Sequence, residues 1–151
     1  MPVMEQSARA IGVGYEGRDL PEFIEMLRRE GVELLVDVRL TPISRKRGFS
    51  KTALGEALAE AGIGYEHMRH LGNPKWNRAG FGGSPGELST ARDVYSAGLS
   101  TSETQECLER IVEACRLRRV AVMCFEADQR RCHRDLVLSA LGERFTYPLS
   151  A

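Results

Sequence analysis

Residues 120–134 read V-A-V-M-C-F-E-A-D-Q-R-R-C-H-R, and this stretch decides how the chain is organised. Val120 to Cys124 is an apolar, strand-like run. Phe125 and Glu126 leave it, a short polar turn follows, and Cys132, His133 and Arg134 open a segment with helical spacing. A buried strand that passes directly into two thiols, a carboxylate, an imidazole and several guanidiniums has the composition of a pocket at a strand's carboxyl end.

Upstream of this stretch, strands and helices alternate. Arg9 to Val13 reads as a strand, and Gly14-Tyr15-Glu16-Gly17-Arg18 as the loop after it. Asp19 with Glu22 forms a capping box, Pro21 sits in the first turn, Phe23, Ile24 and Leu27 make an apolar stripe, and Gly31 closes the helix. Val32 to Val38 is nearly all apolar, as expected of a strand covered on both faces. A basic loop leads to Ser50, which caps a helix carrying Leu54, Ala57, Leu58 and Ala61 on one face and ending at Gly62. Ile63 to His67 is a third strand. Met68 to Pro85, rich in Gly, Asn and Pro, reads as a long loop. Ala91 to Ala97 is expected as a short helix. Ser102 with Gln105 suggests a second capping box before Leu108, Ile111, Val112 and Cys115. After Arg134, Leu136, Val137, Ala140 and Leu141 make a last helix stopped by Gly142, with a final short strand at Phe145 to Leu149.

This order predicts one α/β domain over residues 1–151: an open, mainly parallel sheet flanked by helices, with Rossmann-like layering and right-handed crossovers. The loops after the strands then share one sheet edge, so Gly14 to Arg18, Asp37 to Phe49, His67 to Phe81 and Cys124 to Arg134 converge on a single crevice.

Composition narrows the functional classes. No apolar stretch approaches the ~20 residues of a membrane span, and Met1 to Arg9 lacks the apolar centre of a signal peptide. A soluble, cytoplasmic protein with no membrane partner is expected. With 21 basic and 21 acidic residues there is no global field toward nucleic acid, so any anion site is local. Cys107, Cys115, Cys124 and Cys132 show no short paired spacing, and they read as reduced thiols rather than a disulfide framework.

Three motif readings compete at the crevice. Gly12, Gly14 and Gly17 fit G-x-G-x-x-G, with Asp37 near where a ribose-binding acid would sit, but the capping box starts the helix only after Gly17. Cys124 and Arg130 have the spacing of phosphatase and rhodanese-like anion loops, yet Glu126 and Asp128 would repel the anion held there. Cys124, Cys132 and His133, with His67 and His70 as further donors, are zinc-ligand types without the standard spacings, so neither a metal nor a cofactor is expected. Asp37 and Arg39 leave one strand end on the same side. They read either as part of a guanidinium cluster for an anionic substrate or as an internal salt bridge holding loops.

D-V-R-L-T-P-I-S-R-K-R-G-F-S-K from Asp37, L-G-N-P from Leu71, and M-C-F-E from Met123 with C-H-R following occur in order behind a Y-E-G loop. Together they make the chain resemble the domain of unknown function 488 family, from the first strand to the last helix. The resemblance implies a small α/β domain whose shared polar residues are Asp37, Arg39, Ser44, Arg45, Tyr65, Cys124, Glu126, Cys132, His133 and Arg134. It brings no activity with it.

The expected function is therefore binding of a small anionic, phosphate- or nucleotide-like ligand through Arg39, Arg45 and Arg134, with Asp37, Ser44 and Tyr65 in the ligand shell. Cys124, Glu126, Cys132 and His133 are the groups for any chemistry on it. Cys132 is expected to be the more acidic thiol, since it precedes a helix and neighbours Arg130, Arg131 and Arg134. One alternative is a non-catalytic nucleic-acid or nucleotide module. There Arg45, Lys46, Arg47, Lys75, Trp76 and Arg78 would contact single strands or a modified nucleotide. The other is a purely structural polar network.

Overall fold

Four parallel strands form one sheet, in the order β1-β4-β2-β3, in a computed structural model that describes residues 10–146. The strands are β1 (Ala10–Gly14), β2 (Leu34–Asp37), β3 (Gly64–His67) and β4 (Val120–Cys124). Strand β4 takes a central place although it is the last of the described strands in sequence: Gly14 pairs with Cys124, and Asp37 pairs with Met123. Its composition requires this, because all five residues of β4 are buried and only a covered, centrally paired strand buries both faces.

Among the described residues six α-helices accompany the sheet: α1 (Leu20–Arg29), α2 (Lys51–Glu60), α3 (Arg78–Phe81), α4 (Pro85–Gly98), α5 (Ser102–Leu117) and α6 (Arg134–Thr146). The period-two alternation of the strands sorts them into two layers. Leu35, Ala121 and Met123 pack with Phe23 and Leu27 of α1 and with Leu54 and Leu58 of α2. Val36, Val120, Val122 and Cys124 face the other way, onto Tyr95 of α4, Leu108 and Ile111 of α5, and Val137 and Leu141 of α6. No helix among the described residues is long and apolar enough to cross a membrane.

Local signals place several boundaries. Asp19 and Glu22 make a reciprocal capping box at α1. Gly31 and Gly62 take φ of 72° and 77°, the left-handed conformation that ends a helix. Elsewhere the structure corrects the reading. Ser50 stands at the N-cap of α2, but its hydroxyl serves Ser44 instead of the helix. At α5 the cap is Thr101, whose Oγ1 accepts the Thr104 N–H, while Gln105 turns back to the Leu99 carbonyl. The helix expected at Ala91 to Ala97 is α4, twice as long as expected and opened by a capping box between Ser84 and Glu87. Pro85 and Gly86 look like a turn in isolation, yet Pro fits the first turn of a helix, where its missing N–H costs nothing.

The stretch from Met68 to Pro85 is not an irregular loop. Short 3-10 turns at Arg69–Leu71 and Lys75–Asn77 lead into α3. Helix α6 passes through Gly142 to Thr146, so Phe145 and Thr146 are helical rather than strand. The remainder of the expected final strand lies outside the described residues, as does Arg9.

Candidate functional site

A cleft of about 290 Å³ opens at the carboxyl edge of the sheet, where β1, β4 and β2 lie side by side. All four post-strand loops reach it. Tyr15 comes from the first, Arg39 to Thr41 and Ile43 from the second, and Asn73, Arg78 and Phe81 from the third. Cys124, Phe125 and Glu126, with Arg131 to His133, come from the fourth. Arg39, Cys124, Glu126 and His133 thus share one wall-to-floor surface.

At Gly12 and Gly14 the loop after β4 leaves no room for a side chain. A Cβ on Gly14 would lie 1.9 Å from the Glu126 carbonyl oxygen, and one on Gly12 would meet the Gln129 side chain at 2.1 Å. The Cys124–Arg134 loop therefore lies directly on β1. It is fastened there by Glu16 N–H donating to Phe125 O at 2.8 Å and Ala127 N–H donating to Glu16 Oε1 at 2.9 Å. Gly72 of the L-G-N-P motif has a similar task, since its Cβ would come 2.4 Å from Leu40 Cα.

Asp37 and Arg39 form a buried ion pair that also holds Tyr15 and the Phe49 carbonyl, the geometry of an internal lattice. Arg39 Nε and Nη2 donate to Asp37 Oδ1 and Oδ2 at 2.9 and 2.7 Å, while Nη1 donates to Tyr15 Oη at 3.1 Å and to the Phe49 carbonyl at 2.7 Å. Tyr65 Oη donates to Asp37 Oδ2 at 2.6 Å. Four of the five guanidinium N–H groups are thereby used. Burial alone would lower the Arg39 pKa, but the hydrogen bonds and charge of Asp37 outweigh it and the pKa is raised. Burial and the bond to Asp37 also push the Tyr65 phenol up.

The floor is built from the end of β4 and the turn into α6. Cys124 and Cys132, expected as free thiols, bring their sulfurs together and are joined as a disulfide, with Cα atoms 7.2 Å apart. Cys107 and Cys115 are buried and take no part in that disulfide. No short spacing announced the pair, because the 124–134 loop must fold back over the sheet edge to create it. His133 Nε2 lies 2.7 Å from the Val38 carbonyl, which can only accept, so Nε2 carries the proton. Tyr95 lies against the ring, with centroids 5.2 Å apart. Burial, with help from Arg78 and Arg134, pushes the His133 pKa down to about 4, so the imidazole is neutral near pH 7. Burial likewise pushes Glu126 up, against the charges of Arg134 and Arg78.

The three arginines expected to hold an anion are differently employed. Arg134 is buried beneath the loop, donating from Nη1 to the Glu126 carbonyl at 2.6 Å and from Nη2 to that of Ala127 at 3.3 Å. Arg45 is exposed and outside the cleft lining; half-buried Ser44, whose Oγ accepts the Lys46 N–H within its own turn, also lies outside it. Tyr65 and Asp37 also lie off the lining, and only Arg39 reaches it. The cleft instead receives Arg78 from the start of α3 and Arg131, whose Nη1 donates to the carbonyls of Phe81 and Gly83. Arg78 stood in the sequence only as a nucleic-acid contact. Asn73, inside the L-G-N-P motif, is a cleft residue whose Oδ1 accepts from Asn77 Nδ2 at 3.0 Å, and nothing but its place in that motif pointed to it. His67 is occupied with the Arg39 carbonyl at 2.7 Å and does not join His133.

The family model described as "Domain of unknown function DUF488" matches residues 19–141, which include β2, β3, β4 and nearly every residue of the cleft. No curated protein and no solved structure matches the chain.

Proposed function

The chain belongs to the DUF488 family, whose description names no activity, and on that premise we propose that the cleft binds a small ligand with an anionic, phosphate- or nucleotide-like group. The observation that carries this reading is the charge of the lining: Arg39, Arg78 and Arg131 against Glu126 alone. Arg78 is the exposed member and meets the anion first. Arg131 is held in place through the Phe81 and Gly83 carbonyls, and Arg39 offers one remaining N–H. Tyr15, Phe81 and Phe125 supply apolar walls, as small-ligand sites commonly do. Glu126, His133 and the two cysteines lie beneath such a ligand and are the groups for any chemistry on it.

Calorimetric titration with inorganic phosphate and with a nucleoside monophosphate tests the proposal. Arg78→Ala should weaken binding by about tenfold or more, the worth of one charge-assisted hydrogen bond. Arg45→Ala should bind as the unmutated chain does, since Arg45 lies off the cleft. Equal affinity in the chain with and without Arg78 would overturn it.

A second reading has one observation behind it. Trp76 is 75% exposed beside Lys75, a pairing suited to stacking a single-stranded base. Salt-dependent binding of oligonucleotides that is lost in Trp76→Ala but survives Cys124→Ser would favour that module.

A further inference from the structure

Three buried ligand atoms meet at the floor of the cleft, and the binding of an anion by Arg39, Arg78 and Arg131 needs none of them. Cys124 Sγ, Cys132 Sγ and a ring nitrogen of His133 all lie within 4.8 Å of one another. The strand end supplies the first, and the turn into α6 supplies the other two. Because Nε2 is committed to the Val38 carbonyl, the Nδ1 lone pair is the one presented to Cys132 Sγ, at 4.0 Å. Ligating imidazoles are oriented in this way, the second nitrogen donating to a carbonyl. Both sulfurs also receive N–H groups: the Arg134 backbone N–H donates to Cys132 Sγ and its Nη1 to Cys124 Sγ, each at 3.4 Å. Donors of this kind, one of them cationic, favour the thiolate that binds metal.

The backbone spacing points the same way. Disulfide-bonded cysteines usually keep their Cα atoms about 4.4–6.8 Å apart, and the 7.2 Å between Cys124 and Cys132 exceeds that range. Around tetrahedral zinc, bonds of about 2.3 Å to sulfur and about 2.0 Å to nitrogen put sulfur roughly 3.8 Å from sulfur and roughly 3.5 Å from nitrogen. That arrangement suits the wider backbone span, and it lies close to the separation of Cys132 Sγ and His133 Nδ1.

We propose that in the reduced chain Cys124, Cys132 and Nδ1 of His133 bind one zinc-like divalent ion, with the fourth coordination position open to the cleft. Loading releases the two thiol protons to solvent, so that two thiolates cancel the ion's charge and the imidazole binds neutral. Three protein ligands and an open position suit an ion that holds water or the oxygen of a bound ligand rather than a purely structural one. The ion and the disulfide require the same two sulfurs and exclude each other. The site does not depend on the anion reading, because Arg78 and Arg131 take no part in it.

The test uses the full chain, reduced with a phosphine and freed of metal, then titrated with Zn2+ against a chromophoric chelator and separately with Co2+. A single equivalent should bind, and Co2+ should show a thiolate-to-metal charge-transfer band with the visible bands of a tetrahedral ion. Cys132→Ser and His133→Ala should weaken binding by more than the roughly 10–100-fold typical of losing an outer-shell partner. Cys107→Ser and Cys115→Ser should leave it unchanged. Since a floor variant can fail to fold, alkylation of the unmutated chain provides a second readout: Zn2+ should protect Cys124 and Cys132, as located by mass spectrometry. No uptake by the reduced chain, a Co2+ spectrum without the thiolate band, unprotected thiols, or a Cys124–Cys132 disulfide that withstands the reductant would each overturn the proposal.

Discussion

Arg39 is clasped by the carboxylate two residues before it: both Asp37 oxygens accept from it, Oδ1 at 2.9 Å and Oδ2 at 2.7 Å, with Asp37 fully buried and Arg39 7% exposed. Removing one partner of a buried ion pair leaves the other charge without compensation, at a cost of about 3–5 kcal/mol. Asp37→Asn should lose stability on that scale in urea unfolding. Arg39→Lys should also be destabilised, because an ammonium cannot bridge both oxygens while reaching Tyr15 and the Phe49 carbonyl. A loss in Asp37→Asn below about 1 kcal/mol would remove the structural role assigned to the pair.

Gly14 and Gly72, near the cleft, admit no side chain, whereas Gly86 in α4 does. Gly72→Ala drives a Cβ into the Leu40 backbone and Gly14→Ala into the Glu126 carbonyl. Because backbone cannot rotate away, each should cost about 1–3 kcal/mol or more. At Gly86, within the first turn of α4, a Cβ meets nothing within 4 Å. Gly86→Ala should be neutral or stabilising by up to about 1 kcal/mol. Melting curves of the three variants check the order.

Arg134 holds down the loop that carries Cys124 and Glu126. Arg134→Met should leave the Glu126 and Ala127 carbonyls without their donor, at about 1–3 kcal/mol for each one kept from water. Arg134→Lys should recover little of this, since one ammonium replaces a fork. Amide exchange in residues 125–131 should rise in both variants and stay near the unmutated rate in the helices on the far face, α1 and α2.

The capping box of α4 gives a stability term that depends on pH. The Ser84 backbone N–H and hydroxyl hold the Glu87 carboxyl below its ordinary pKa of 4.5. A carboxylate with a depressed folded pKa stabilises the fold above its unfolded pKa and loses that contribution as pH falls through the folded value. The melting-temperature gap between the unmutated chain and Glu87→Gln should therefore be largest above about pH 5 and close toward acid pH. A gap independent of pH would show that the ionised carboxylate is not what caps α4.

Sequence alone determined the elements whose signals are local. The β4 run of apolar residues, the Asp19–Glu22 box, and Gly31 and Gly62 at helix ends each act within a turn or a strand, so they can be read without knowing what packs against them. It also marked the loop ends that line the cleft, because a parallel sheet puts every post-strand loop at one edge. Only the tertiary structure decided which side chains remain available there. Whether Arg39 is a ligand fork or a lattice member depends on Tyr15 and Phe49, 24 and 10 residues away. Whether Arg134 faces a ligand depends on the carbonyls of a loop folded back above it. The meeting of Cys124, Cys132 and His133 depends on the same loop and on Val38, 95 residues before His133. A side chain's type is written in the chain, but its hydrogen bonds are shared out among neighbours from distant segments, and that sharing exists only once the sheet has brought β1, β4 and β2 together.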